Sequence, residues 1–165
     1  MNDVTVLVTG LAWMGGGVRS IESALNELLQ SAQNEVLITA YTISNISDRV
    51  SGKLEIALSR GATVHLIVNR LNTQPKTAFE SLKSLGDKYP YFHMYSFESD
   101  EESADLHAKA VVIDRKRALI GSANISFRGW TTNHELAVLI TGPAAGDIAR
   151  AIDRLRFSKF CYQVE

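Results

Sequence analysis

Two apolar runs, Ala110–Ile113 and Ala118–Ile120, flank the charged tetrapeptide Asp114-Arg115-Lys116-Arg117. Runs this short, wholly apolar and bounded by a polar turn, read as two buried strands joined tightly. The hairpin requires an antiparallel pair within the sheet, which the rest of the chain must cover. Side chains alternate across a strand, so His107 and Lys109 emerge on one face and Asp114 on the other. The second strand ends in Gly121-Ser122-Ala123-Asn124. A proton carrier, a fixed positive charge and small polar groups suit an oxyanion or phosphate pocket. His107 supplies the nucleophile or acid, Lys109 the charge, and Ser122 and Asn124 hydrogen bonds. A satisfied core histidine, a surface lysine and turn-filling polar residues are the plainer alternatives.

Around this hairpin the chain alternates strands with amphipathic helices. Strands are expected at Val4–Thr9, Glu35–Tyr41, Thr63–Val68, Tyr91–Phe97 and Glu135–Ile140. Ile21, Leu25, Leu28, Leu29 and Ala32 make one helical stripe, and Val50, Leu54, Ala57 and Leu58 a second that stops at Gly61. Ala78, Phe79, Leu82 and Leu85 line a third helix, with Pro75 near its first turn, and Gly142-Pro143 opens a last one. The glycine-bearing stretch Gly10–Gly17 matches no phosphate-binding loop and is read as a flexible lead into the first helix. The expectation is an α/β domain with a mixed β-sheet of about seven strands sandwiched between helices. Its 165 residues, 45% hydrophobic and 21% charged, fit a single domain over 1–165.

A net charge of −1 gives no global case for binding a polyanion, so any such case rests on a local patch. The lone Cys161 excludes an intrachain disulfide and reads as a minor packing residue. No apolar run reaches the roughly 20 residues needed to span a bilayer, and the N-terminus lacks the pattern of a signal peptide. The chain is expected to be cytoplasmic and to need no membrane. Scattered histidines and absent cysteine pairs indicate no metal site and no cofactor.

The spacing His107-x-Lys109-x(4)-Asp114-x(6)-Gly121-Ser122-x-Asn124 resembles the full HKD signature of the phospholipase D superfamily. Asn133-x-Glu135 is similar to the segment that follows that signature, and Val36–Tyr41 and Ala57–Val64 resemble the family's earlier strand and helix–strand junction. The resemblance implies the family's mixed sheet between helices. It also implies that His107 attacks phosphorus to form a phosphohistidine, while a second motif's histidine protonates the leaving oxygen. A histidine titrating near neutrality suits both roles. Lys109 is then a phosphate clamp, Asn124 and Ser122 bind non-bridging oxygens, and Glu135 fixes the tautomer of His107 by accepting from its ring. Asp114 belongs to the same catalytic motif. By face alternation it is nevertheless structural, pinning the hairpin or the segment after the second strand.

Only one such motif is present, since His65, His93 and His134 have no lysine two places on. Two histidines therefore require a homodimer that brings His107 from both subunits into one site. The leading expectation is a metal-independent nuclease acting on DNA rather than RNA. Gly121–Trp130 and Asn133–Leu136 are similar to phospholipase D-like subunits of restriction and anti-phage systems, so defence-system partners are expected too. A lipid phosphodiesterase or transferase, and a non-catalytic nucleic-acid-binding or assembly subunit, are the alternatives. Arg128 is the candidate nucleic-acid contact, because Arg115, Lys116 and Arg117 should lie at the far end of the strand. The acidic run Glu98-x-Asp100-Glu101-Glu102 is expected to restrict access until displaced.

Overall fold

The computed structural model describes residues 1–13, 15–44, 48–99 and 104–164, with backbone alone at 48–50. The first half of the chain forms β1 (Asp3–Thr9), β2 (Arg19–Ser20), α1 (Ile21–Ser31), β3 (Glu35–Ala40), β4 (Ile43–Ser44), α2 (Asp48–Ser59), β5 (Thr63–Asn69) and α3 (Lys76–Lys88). The second half forms β6 (Phe92–Phe97), β7 (Ala110–Ile113), β8 (Arg117–Gly121), β9 (Ile125–Ser126) and α4 (Phe127–Thr131), then β10 (Glu135–Thr141), α5 (Pro143–Arg156) and β11 (Cys161–Val164).

Nine strands make one mixed sheet in the order β11-β6-β5-β3-β7-β8-β10-β1-β2. β3, β5 and β6 run parallel, joined by α2 and α3, whereas β3, β7, β8, β10 and β1 are successively antiparallel. The hairpin thus lies at the centre of the sheet, where strands buried on both faces belong. A separate two-residue parallel ladder joins β4 to β9.

Successive strand residues feed two cores. Val36, Ile38, Val64, Leu66, Val111 and Leu119 pack with α1, α2 and α3, while Leu37, Ile67, Val112 and Ala118 pack with Ala145, Ala149 and Ile152 of α5. That is the period of two expected of a strand covered on both sides. Ser20 caps α1, its hydroxyl accepting from Ser23 N–H at 3.1 Å. Pro75 stands at the cap position before Lys76, and Pro143 opens α5 behind Gly142, whose φ is 121°. Val50 lies outside the residues whose side chains are described.

The sheet has nine strands where the sequence suggested about seven. The two extra strands occupy its edges and lack an apolar alternation: β2 is only Arg19-Ser20, and β11 reads Cys-Tyr-Gln-Val with its middle pair exposed. Cys161 pairs with Phe97 in that edge ladder, and burial pushes its thiol up to about 11, against the opposing pull of Arg156. Among the described residues no helix is long and apolar enough to cross a membrane.

Candidate active site

β7 begins at Ala110, the first residue to pair with β3, so His107 and Lys109 stand on the irregular segment leading into it. Buried Asn69 anchors that segment, its Oδ1 accepting Leu106 N–H at 2.9 Å. His107 is exposed, and its ring lies tilted against that of Tyr41, with centroids 4.5 Å apart. Lys109 folds back over the same two rings. Its ammonium donates to the carbonyl oxygen of His107 at 2.8 Å, lies 3.3 Å from His107 Nδ1, and sits 5.3 Å from the Tyr41 centroid. The two motif side chains therefore share one side, as i and i+2 positions of an extended segment do. Burial pushes the Lys109 ammonium below the usual lysine range, and the charge of Glu135 works the other way.

β8 and β10 bring in the remaining groups. Ser122 donates to Glu135 Oε2 and accepts from Leu136 N–H at 3.2 Å, and Asn133 Nδ2 donates to Glu135 Oε1 at 3.3 Å. This places Ser122 and Glu135 together but corrects one expectation. The hydrogen bond predicted from the ring of His107 to Glu135 is not formed; the carboxylate bonds Ser122 and Asn133 instead. The site depends on how closely the two strands approach at Gly121. A Cβ there would stand 2.5 Å from both the Leu136 carbonyl oxygen and Ala137 Cβ, so no larger residue fits. Asn124 accepts Thr42 N–H at 3.4 Å and so ties the end of the hairpin to the chain beyond β3.

Asp114 lies in the turn at the other end of the hairpin. It and Arg115 have φ of 50° and 58°, and Lys116 N–H donates to Ile113 O at 3.0 Å, the two left-handed residues of a tight hairpin turn. The Asp114 carboxylate accepts the N–H groups of Gln33, Asn34 and Glu35 at 2.8–3.0 Å. It therefore pins the turn to the segment before β3, not to the segment after the second strand, and it lies at the end of the hairpin away from His107. Burial works to raise its pKa, but those three N–H groups hold it below the usual carboxylate range.

Two of the three turn cations, Arg115 and Arg117, are committed elsewhere. Arg115 forks onto Glu35 and pairs with Asp153 at 2.7 Å, and Arg117 pairs with Glu27 and Ser31. Arg128 is exposed on α4 and forms no ion pair among the described residues. Of the acidic run, Glu98 is held by Tyr162 and Ser96, whereas Asp100, Glu101 and Glu102 lie outside the described residues. Among the described residues no group of three or more His, Cys, Asp or Glu could hold a metal ion. His134 accepts Ala12 N–H on Nε2 at 3.1 Å, which assigns it to packing of the loop after β1. Tyr41 and Thr42 were not singled out as site residues by the sequence. Their only signal is position, just beyond a parallel strand's C-terminal end, where open α/β sheets place their sites.

Comparison with known proteins identifies the family and the fold. The family described as "Cardiolipin synthase, PLD-like domain" matches residues 25–156. DISARM protein DrmC of Bacillus paralicheniformis is 31% identical over 127 residues, covering 76% of this chain and 51% of its own. Cardiolipin synthase A of Proteus mirabilis is 28% identical over 127 residues, covering 73% of this chain and 24% of its own. The chain thus spans about half the length of the first relative and about a quarter of the second. In three dimensions it resembles Nuc from Salmonella typhimurium, a phospholipase D family member, with a TM-score of 0.77 at 16% identity, covering 100% of this chain and 99% of that one. NucT from Helicobacter pylori gives 0.77 at 19% identity, covering 99% and 100%. The HKD spacing, the mixed sheet and a family match running from α1 to the last residue of α5 converge on one conclusion: the chain belongs to the phospholipase D superfamily.

Proposed function

We propose that the protein is a phosphodiesterase that cleaves nucleic acid, DNA in particular, through a phosphohistidine and without a metal ion. The carrying observation is the exposed imidazole of His107 with the Lys109 ammonium 3.3 Å from its ring. A nitrogen of His107 attacks phosphorus; the P–N bond forms and the P–O ester bond breaks. The leaving oxygen takes a proton from a second imidazole, the partner's His107 in a two-fold dimer. Water then attacks phosphorus, giving its proton to that second imidazole as the P–N bond breaks. Lys109 and Asn124 hold the non-bridging oxygens, which gain charge in the transition state. Ser122 and Asn133 orient Glu135, whose charge favours the ammonium form of Lys109. The resemblance to Nuc and NucT supports the fold for this chemistry, and the DISARM protein among its relatives supports a defence setting with partner subunits.

A lipid phosphodiesterase or transferase is the second reading, favoured by relatives named cardiolipin synthase. Incubating wild type and His107→Ala with labelled single- and double-stranded DNA in EDTA at low salt tests the proposal. Cleavage by wild type alone is the expected result, the loss exceeding the roughly 10²–10⁴-fold of a missing general acid or base. No cleavage by either protein, with phosphatidylglycerol turnover in vesicles, overturns it in favour of the lipid reading.

A further inference from the structure

Beside His107 opens a cavity of about 440 Å³, with Tyr41, Thr42, Ser44, Arg70, Thr73 and Asp105 in its wall. It adjoins the site described above through the Tyr41 side chain. Tyr41 lines it and also packs on the imidazole, and Asp105 lines it two residues upstream of His107.

The cavity is built rather than incidental. The single side chain of Gln74 ties its walls together, donating to the carbonyl oxygens of Tyr41 at 3.3 Å and Asn69 at 2.8 Å and accepting Ile43 N–H at 3.0 Å. Arg70 has a φ of 42°, a left-handed conformation that a bulky residue adopts only where its surroundings over-determine it. Its N–H donates to Phe97 O at 2.9 Å, its carbonyl takes the N–H and hydroxyl of Thr73, and its Nε donates to Asp105 at 3.1 Å. Non-glycine strain of this kind clusters where a side chain must be aimed.

The wall chemistry selects the occupant. Asp105 Oδ1 accepts from both Asn69 Nδ2 and Arg70 Nε at 3.1 Å. Those bonds keep the carboxylate ionised, and among the described residues its Oδ2 accepts no hydrogen bond. A fixed carboxylate repels a second phosphate but accepts the amino hydrogens on the edge of a base. An aromatic face, hydroxyls and a planar guanidinium complete a surface suited to a flat, polar heterocycle. The volume falls within the roughly 300–1,000 Å³ of small-ligand pockets, and a base enters such a pocket only when it is out of its stack.

We infer that this cavity receives one unpaired, amino-bearing base (adenine, cytosine or guanine) next to the scissile phosphate, so that the enzyme acts on single strands. The inference rests on the nuclease reading and adds a base-recognition subsite to it, with Asp105 as a specificity residue rather than a catalytic one.

Single-stranded oligonucleotides of dC, of dT, and of dC with one abasic residue at a defined position, together with the dC·dG duplex, supply the test. Cleavage sites are mapped with wild type and Asp105→Asn. Wild type is expected to cut dC about tenfold faster than dT, to avoid the phosphate beside the abasic residue, and to cut the duplex about tenfold more slowly. Asp105→Asn should cut dC and dT alike. Equal cutting beside the abasic residue, or an unchanged dC preference in Asp105→Asn, overturns the subsite while leaving the nuclease reading intact. Absence of cleavage on every strand overturns both. The abasic arm uses wild type alone, so it decides the matter even if the variant does not fold.

Discussion

The Ser122 hydroxyl donates to Glu135 Oε2, and through that bond the end of β8 orients the carboxylate at the start of β10. Glu135 in turn raises the pKa of Lys109 against the lowering effect of burial. Replacing Glu135 by Gln keeps a partner for Ser122 but removes the charge that favours the ammonium. Lys109 should then lose its proton at lower pH, moving the alkaline limb of the pH–rate profile to lower pH. An unmoved limb would show that Glu135 acts otherwise. Ser122→Ala removes the hydroxyl's bond to Glu135, worth about 1 kcal/mol, together with the one it accepts from Leu136 N–H, and should slow turnover at least about fivefold with the limb near its original place.

Lys109 bonds the His107 carbonyl and lies over the Tyr41 ring, so its ammonium is already placed when substrate arrives. Lys109→Met keeps the aliphatic stem and loses the charge. The expected loss is about 10²–10³-fold in kcat, typical of one removed donor to a developing oxyanion. A variant that raised KM and left kcat untouched would make Lys109 a ground-state contact only.

Gly121 and Gly86 make opposite predictions. A Cβ at Gly121 meets the Leu136 backbone at 2.5 Å, whereas a Cβ at Gly86, inside α3, finds only Phe92 at 3.8 Å. Gly121→Ala should destabilise by about 3 kcal/mol through overpacking, and should displace Ser122 from Glu135. Gly86→Ala should stabilise by up to about 1 kcal/mol through helix propensity. Urea denaturation of both variants checks the contrast, and equal midpoints would refute it.

The Asp114 carboxylate joins residues some 80 positions apart and balances two left-handed backbone residues. Asp114→Ala should cost about 1–2 kcal/mol, since it removes three hydrogen bonds, two of them to exposed N–H groups that water can reach. Asp114→Asn, which tolerates the left-handed region, should cost less. The folded pKa lies below the unfolded value, so the stabilisation is present above the ordinary carboxylate range and is lost as pH falls through the folded value. Stability curves of wild type and Asp114→Asn should therefore converge toward acid pH; a constant gap would contradict the linkage.

The sequence disclosed most of the fold because the central strands are buried on both faces and leave continuous apolar runs. It disclosed less at the edges, where β2 and β11 carry no such pattern, and it missed the short helix α4. Fixed spacing singled out His107, Lys109, Ser122, Asn124 and Glu135 as candidates. It could not tell which of them bond one another, because the partner of Glu135 depends on how β8 approaches β10 at Gly121. Face alternation was not what separated Asp114 from His107: His107 precedes the strand and Asp114 lies in the turn at the hairpin's other end. It could not identify Gln33, Asn34 and Glu35 as partners, since that contact is long-range. Tyr41, Arg70 and Asp105 fall on connections, where no periodicity speaks.

His65 supplies the last prediction, one of stability rather than activity. Its ring stacks on His93 with centroids 5.1 Å apart, and Tyr95 Oη lies 3.3 Å from its Nδ1. Burial, with the nearby charges of Arg156, His93 and Arg115, pushes its pKa down to about 4, and Asp153 only partly opposes them. An unfolded histidine takes up its proton near pH 6.5, while the folded one stays neutral until about pH 4. As pH falls through that window the unfolded chain binds a proton that the folded chain refuses, so folding loses stability, and below it the loss stops growing. The full shift would correspond to about 3 kcal/mol, and solvent screening of this half-buried ring reduces the effect below that. His65→Gln should be less stable than wild type at pH 7, through lost packing, yet show a shallower decline between pH 6.5 and 4. Urea midpoints at half-unit steps across that range measure both slopes. Parallel slopes would mean that His65 takes up its proton as readily in the folded chain as in the unfolded one and that the acid sensitivity comes from elsewhere.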